Sequence, residues 1–210
     1  MLPFGMAGGR TSNRALGHAV IFGAHGGLAT ALSSAFVSSD WSARQVGRFD
    51  PTPNYPADVY VFPQGRFLQK PFVDTNPVER SQMVDAGLNV ILSRLRDCLA
   101  IRTDQRTDYC LIGSTSSYQG FANSAIYCAV KHALVGLVRA LNDEYKDTSR
   151  RFWLFSMGTM DTAMGRQLTT DQDPNTFLSP DEVAERIVST VTNPSNLFEP
   201  EVVIRRRTVA

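Results

Sequence analysis

An α/β fold built on a parallel, doubly wound sheet is what the sequence predicts, and three observations carry the prediction. From His18 onward, six short apolar runs alternate with longer segments of helical period, the pattern of strands joined by crossover helices. The first of those runs passes directly into a glycine-rich turn followed by a helical pattern. The chain has 210 residues, 43% of them apolar and 20% charged, enough to bury one core and too few for several domains.

Taken in order, the expected strands are HAVIFG (18–23), ARQVGR (43–48), DVYVF (58–62), DYCLIGS (108–114), RFWLFS (151–156) and EVVIR (201–205). Val84, Leu88, Ile91, Leu95 and Leu99 recur every three or four positions, so one stripe of a long helix over about 80–102 faces the core. A second long helix is expected over about 124–147, with Ile126, Val130, Ala133, Leu134, Leu137 and Leu141 on its buried stripe. A third starts at Ser179, which can cap it, with Pro180 at the first helical position and Glu182 placed to return a capping-box hydrogen bond. DPTPNYPA (50–57) carries three prolines in eight residues, so the connection between the second and third strands must be irregular. The first 17 residues are polar and glycine-rich; they read as a flexible tail rather than a signal-peptide core.

Composition excludes some partners. Lys plus Arg number 21 against 20 Asp plus Glu, for a formal net charge of +1, which offers no global field for nucleic acid or an anionic membrane. No apolar run approaches the ~20 residues of a membrane span. Arg205, Arg206 and Arg207 read as solvated charges at a strand end. Cys98, Cys110 and Cys128 lie in apolar runs without zinc-type spacing, and His18, His25 and His132 have no carboxylate or second histidine at ligand spacing, so no metal is expected. The cysteines read as reduced core residues of a cytoplasmic protein.

Three constellations carry chemistry. Gly23-Ala24-His25-Gly26-Gly27-Leu28-Ala29 joins a strand to a helix, where glycines let the backbone approach a pyrophosphate and helix amides meet its charge; the same glycines would also serve close packing alone. Tyr127 and Lys131 stand four apart on the second long helix, so phenol and ammonium share a face. A fixed cation there is expected to bring the phenol's pKa down toward the working range, although the same spacing occurs on ordinary helices. Ser114 ends the fourth strand, 13 residues before Tyr127, at the sheet edge where open α/β folds bind ligands; a serine cluster there is otherwise turn chemistry.

In this order and on these elements, the three features resemble the short-chain dehydrogenase/reductase family, from about His18 to Arg205. The family's TGxxxGxG turn is matched at Gly23 and Gly27, with Phe22 and Ala29 in place of its Thr and last Gly. Ile112-Gly113-Ser114-Thr115 is similar to the strand end that bears the catalytic Ser, and Tyr127-Cys128-Ala129-Val130-Lys131 to the YxxxK motif. Asn89 looks like the family's Asn that holds a proton-relay water. Met157 to Met164 is similar to the PGxxxT segment, which would bring Gly158, Met160 and Thr162 to the nicotinamide end. Phe62-Pro63-Gln64-Gly65 stands in the place of NNAG, with only Gly65 retained, and the proline-rich 50–57 replaces a helix and a strand of longer members. Part of the adenine-side wall is therefore expected to be missing.

The resemblance implies a Rossmann-type catalytic domain over 18–210 and hydride transfer between a nicotinamide and a small carbonyl or alcohol. Tyr127 would be the acid/base, Ser114 would polarise the substrate oxygen, Lys131 would hold the nicotinamide ribose, and Asn89 would anchor the relay water. Gly23, His25, Gly26, Gly27, Leu28 and Gly65 would line the dinucleotide. At the end of the second strand, Gly47 leaves room and Arg48 supplies a planar cation for a 2′-phosphate, so NADPH is favoured over NADH; a register shift would put Asp50 there and reverse the preference. A homodimer or homotetramer through the two long helices is implied by the resemblance alone. The same fold also admits a dinucleotide-binding sensor without redox work, or a redox-neutral isomerase or dehydratase.

Overall fold

The computed structural model describes residues 15–168, 172–195 and 197–206. Strands β1 (His18–Phe22), β2 (Ser42–Val46), β3 (Val59–Phe62), β4 (Thr107–Ile112), β5 (Arg150–Met157) and β6 (Glu201–Ile204) form one sheet in the order β2-β1-β3-β4-β5-β6. Every pairing is parallel. Each strand begins and ends within two residues of its expected place. The inner strands β1, β3, β4 and β5 are almost wholly buried, whereas edge strands β2 and β6 are part-exposed. That is why the inner strands read as unbroken apolar runs.

Helices cover both faces. On one, α1 (Gly27–Ser38) and α5 (Pro180–Val191) bury Leu32, Phe36, Ile187 and Val188 against Ala19, Ile21, Cys110 and Phe155. On the other, α3 (Val90–Leu99) and α4 (Ala125–Glu144) cover Val20, Phe22, Tyr60, Tyr109 and Leu111, with α2 (Pro77–Val84) packed against α4. The three cysteines are free and buried. Among the described residues no helix is long and apolar enough to cross a membrane.

Local chemistry explains the helix ends. Asn76 accepts from the Glu79 amide at 2.9 Å and Glu79 returns a bond to the Asn76 amide, with Pro77 next in line, so the helix expected from about 80 begins earlier, at a full capping box. At Ser179 the outcome is reversed: its hydroxyl accepts from the Glu182 amide at 3.5 Å, but no reciprocal bond from Glu182 forms. Between α2 and α3 the chain makes a π-helical turn, Asp85–Asn89, which adds a residue to the turn and rotates α3 relative to α2. Sequence periodicity alone does not signal it.

No strand forms between β2 and β3. The proline-rich segment is irregular, as expected, and side chains hold it: the Tyr60 hydroxyl donates to the Tyr55 carbonyl (3.1 Å) and accepts from the Ala57 amide (3.0 Å), while Arg44 donates to the Tyr55 hydroxyl (2.9 Å). Of the expected flexible tail, residues 1–14 lie outside the described residues. Leu16 donates its amide to the Asp40 carbonyl at 2.8 Å and Gly17 packs against the Trp41 ring, so the ordered structure starts before His18.

At the amino-terminal end of the sheet, Asp108 is buried among Arg106 (2.9 Å), Arg151 (2.8 Å) and the Trp153 indole N–H (2.6 Å). Burial lifts its pKa to about 6 in spite of those donors. Truncating one partner of a buried pair leaves the others uncompensated. Asp108→Ala is therefore predicted to cost about 3–5 kcal/mol, measurable as a lowered urea midpoint; an unchanged midpoint would mean that the cluster adds nothing to stability.

Candidate active site

The order of the sheet reverses between β1 and β3, so their carboxyl ends open a crevice. Gly23 follows β1 with φ +147°, a conformation that side chains resist, and a Cβ there would come within 3.5 Å of Ala29 and Pro63. His25, Gly26 and Gly27 are exposed. Helix α1 starts at Gly27 without a side-chain cap and without an acidic residue in its first turn, which leaves its leading amides free of side-chain acceptors and suited to an anion. Leu28 buries its side chain in the core, so only its backbone faces the turn. Thr162 reaches the same place: a Cβ on Gly27 would lie 3.0 Å from its methyl. Gly158 and Met160 lead to it from β5, Gly158 donating to the Ile204 carbonyl at 3.0 Å.

Beside this turn, β4 delivers Ser114. Its hydroxyl accepts from the Ser116 amide at 3.1 Å and its own amide donates to Ser117 Oγ at 3.1 Å, which fixes the serine at the head of a 3-10 turn, Thr115–Ser117. Helix α4 presents Tyr127 and Lys131 to the same edge. The Ser114 side chain lies near enough to the phenol to favour its ionised form, and Lys131 Nζ lies 5.8 Å from the Tyr127 ring centre. Lys131 is 5% exposed and donates to the Ile112 carbonyl at 2.8 Å. No carboxylate among the described residues pairs with it, and burial brings its pKa down to about 8. Gly65 completes the group, since a Cβ there would stand 3.6 Å from Lys131 Nζ. Neighbouring Gln64 buries a side-chain oxygen without a hydrogen-bond partner.

Two expectations are corrected. The pKa of Tyr127 is not depressed: burial raises it, and the nearby Ser114 side chain opposes that rise only in part. The ammonium expected to lower it is committed to the Ile112 carbonyl. Asn89 does not join the group. It is exposed and gives its side-chain amide to Asp85 at 2.7 Å, because the π-helical turn puts Gly87 against α4 instead. A Cβ on Gly87 would be 2.6 Å from Val130 Cγ1, and the relay water expected at Asn89 has no support there.

Arg48 is exposed just beyond β2, its guanidinium 5.7 Å from the Phe49 ring centre. Asp50 turns back so that its carboxylate accepts from the Gly47 amide at 2.8 Å. Phe67 was not anticipated: it meets the Tyr127 ring edge-on, with centroids 5.1 Å apart, and lines a cavity of about 420 Å³ with Leu68, Lys70, Asn123 and Gln167. A bulky apolar residue two positions after Gly65 was the available signal. The backbone pins this loop, Lys70 N donating to the Asn123 carbonyl at 2.6 Å. Residues 169–171 lie outside the described residues, as does Arg207. His18 sits at the amino end of β1 with Asp58 and Ser42, away from the crevice, and the described residues hold no cluster able to bind a metal ion.

A family profile described as enoyl-(acyl carrier protein) reductase matches residues 57–192. An uncharacterized oxidoreductase of Staphylococcus aureus strain MW2 is 25% identical over 151 residues, which cover 70% of this chain and 64% of the relative; the match thus spans under two thirds of that relative's length. Among solved structures, a chain from Shigella flexneri described as a short chain dehydrogenase complexed with NADP has a TM-score of 0.81 at 17% identity, covering 90% of this chain and 97% of its own. A 3-ketoacyl-(acyl-carrier-protein) reductase from Brucella melitensis complexed with NADH has a TM-score of 0.79 at 15% identity, covering 90% and 96%. These structures share the fold.

The buried ammonium has a stability consequence. A lysine whose folded pKa is about 8 rather than 10.5 destabilises the folded state at neutral pH by about 3 kcal/mol, and the penalty fades as pH rises from 8 to 10.5. Lys131→Met loses this penalty but orphans the Ile112 carbonyl, at about 1–3 kcal/mol. Thermal melts are predicted to give Lys131→Met a midpoint no lower than wild type at pH 7, with wild type gaining on the variant by pH 10. A constant gap between the two at both pH values would contradict the depressed pKa.

Proposed function

The chain belongs to the short-chain dehydrogenase/reductase family, and on that footing we propose that it reduces a small carbonyl compound with a nicotinamide dinucleotide as hydride donor, NADPH in preference to NADH. The observation that carries this reading is the convergence of Ser114, Tyr127, Lys131 and Gly65 at one sheet edge, around a buried ammonium with no counter-charge among the described residues. Keeping such a cation out of water is costly, and a bound dinucleotide would give it ribose hydroxyls to meet.

The chain's own residues fit that group. The Gly23–Gly27 turn and the uncapped start of α1 would take the pyrophosphate, Gly65 and Lys131 the nicotinamide ribose, and Gly158, Met160 and Thr162 the far side of the ring. The nicotinamide supplies the hydride when bound; the protein supplies position and a proton. Ser114, held by the 3-10 turn, donates to and orients the substrate oxygen. Tyr127, protonated at neutral pH because burial raises its pKa, gives its phenolic proton to that oxygen as negative charge develops there. Lys131 stabilises the phenolate left behind and is itself charged only below about pH 8. With no Asn89 relay, the phenolate is reprotonated from solvent through the crevice.

NADPH is favoured because Arg48 carries an exposed guanidinium at the end of β2, while Asp50, the residue that would favour NADH, already spends its carboxylate on the Gly47 amide. The NADP and NADH complexes among the structures of the same fold accord with a nicotinamide dinucleotide of either kind. A second reading, a sensor that binds the dinucleotide without consuming it, is favoured by one observation, the exposure of Asn89 away from the crevice with its amide given to Asp85. Oxidation of NADPH across a panel of aldehydes, ketones and quinones separates the two.

Tyr127→Phe is predicted to fold, to bind NADPH, and to lose about a hundredfold or more in turnover; wild-type turnover in that variant would reject the mechanism. The free-protein pKa of Lys131 sets the pH response: kcat/KM for NADPH is predicted to fall as pH rises through about 8, and a profile flat to pH 10 would remove Lys131 from the reaction.

A further inference from the structure

Among the described residues no strand flanks β2 on its outer side, yet the turn that carries Arg48 is tied down by one side chain from the opposite layer. Arg94 of α3 directs Nη2 at the carbonyls of Asp50 (2.6 Å), Arg48 (3.1 Å) and Gly47 (3.4 Å), and Nη1 at Thr52 Oγ1 (2.9 Å). Thr52 in turn donates to Asp97 Oδ2 at 3.0 Å, one helical turn further along α3. The guanidinium sits 5.4 Å from the centre of the Phe22 ring, which stacks on Phe62 at 5.0 Å. These aromatics are the last residues of β1 and β3, so the clamp is anchored at the crevice itself. A planar, multi-donor guanidinium can engage the carbonyls of this turn through one nitrogen and Thr52 through the other.

The clamp also sorts the charges of the turn. With the carbonyls of residues 47, 48 and 50 drawn to Arg94, the Asp50 carboxylate folds onto the Gly47 amide at 2.8 Å, and a Cβ on residue 47 would approach that carboxylate to 2.9 Å. Arg48 is left exposed, with no carboxylate partner among the described residues.

We propose that Arg94 is the positioning residue for the adenosine end of the dinucleotide, holding the 47–52 turn so that Arg48, and not Asp50, is available to a 2′-phosphate. This rests on the dinucleotide reading above. It assigns to α3 the support that a further strand beyond β2 would otherwise give. Arg94 acts through the turn and touches no reacting group, so its loss should be felt at one end of the ligand only.

The test is calorimetric titration of the full chain and of Arg94→Met and Arg94→Lys with adenosine 2′,5′-bisphosphate, adenosine 5′-monophosphate and nicotinamide mononucleotide. Wild type is expected to favour the bisphosphate over the monophosphate. Arg94→Met should weaken the bisphosphate about tenfold, as for loss of one charge-assisted contact, narrow its advantage over the monophosphate, and leave the mononucleotide and kcat at saturating NADPH unchanged. Arg94→Lys, which can serve fewer carbonyls, should fall between. Bisphosphate affinity equal to wild type in both variants overturns the proposal. Equal losses for both ends of the ligand also overturn it, since they mark Arg94 as a general support of the fold. Wild type that binds none of the three probes overturns the dinucleotide reading itself, and the proposal with it.

Discussion

The bond from Lys131 Nζ to the Ile112 carbonyl is the constraint on which the rest of the crevice depends. It joins α4 to the carboxyl end of β4, the two elements that bear Tyr127 and Ser114, and so fixes their separation. An ammonium 5% exposed, met by that one carbonyl and paired with no carboxylate among the described residues, is costly to bury. Its depressed pKa and the raised pKa of the phenol have one cause, the scarcity of water at this edge. At neutral pH the pair sits as phenol and ammonium, with the proton in place that the proposed reduction would use.

Around that fixed centre, the two ends of the crevice are built by different means. The glycine turn is held by the sheet, through Gly23 N and the Val46 carbonyl at 2.8 Å, and by a backbone geometry that needs glycine. The far end past β2 is held by side chains reaching from another layer: Arg94, Thr52 and Asp97 on one side, Tyr55 and Tyr60 on the other. A ladder of backbone bonds is indifferent to most substitutions. A guanidinium clamp is not, which concentrates the shape of this end in very few residues.

Periodicity decides how much of this is legible in the sequence. Strands buried on both faces announce themselves as apolar runs, and β1, β3, β4 and β5 are legible to within two residues. Tyr127, Lys131 and Ser114 are legible because helix pitch and strand ends place them without further information. Asn89 is misplaced because a π-helical turn changes the phase of a helix without changing its composition. Arg94 is invisible for another reason: its partners, residues 47–52, lie tens of positions away and nothing local marks the contact, while Phe67 is marked locally only as a bulky apolar residue after Gly65, not by its partner Tyr127. The direction of the Tyr127 pKa depends on burial against charge, a balance set by the folded surroundings alone.

With no strand beyond it among the described residues, β2 lies at the margin of the sheet, five residues long and part-exposed. A margin of that kind offers unladdered amides and carbonyls to any extended chain that drifts past. Here its brevity, the charge of Arg44 and the prolines soon after it discourage such accretion. The shortened margin is therefore guarded against intermolecular β-stacking by the same stretch that forgoes a regular crossover, and replacing those prolines with β-formers would trade a quiet border for a sticky one.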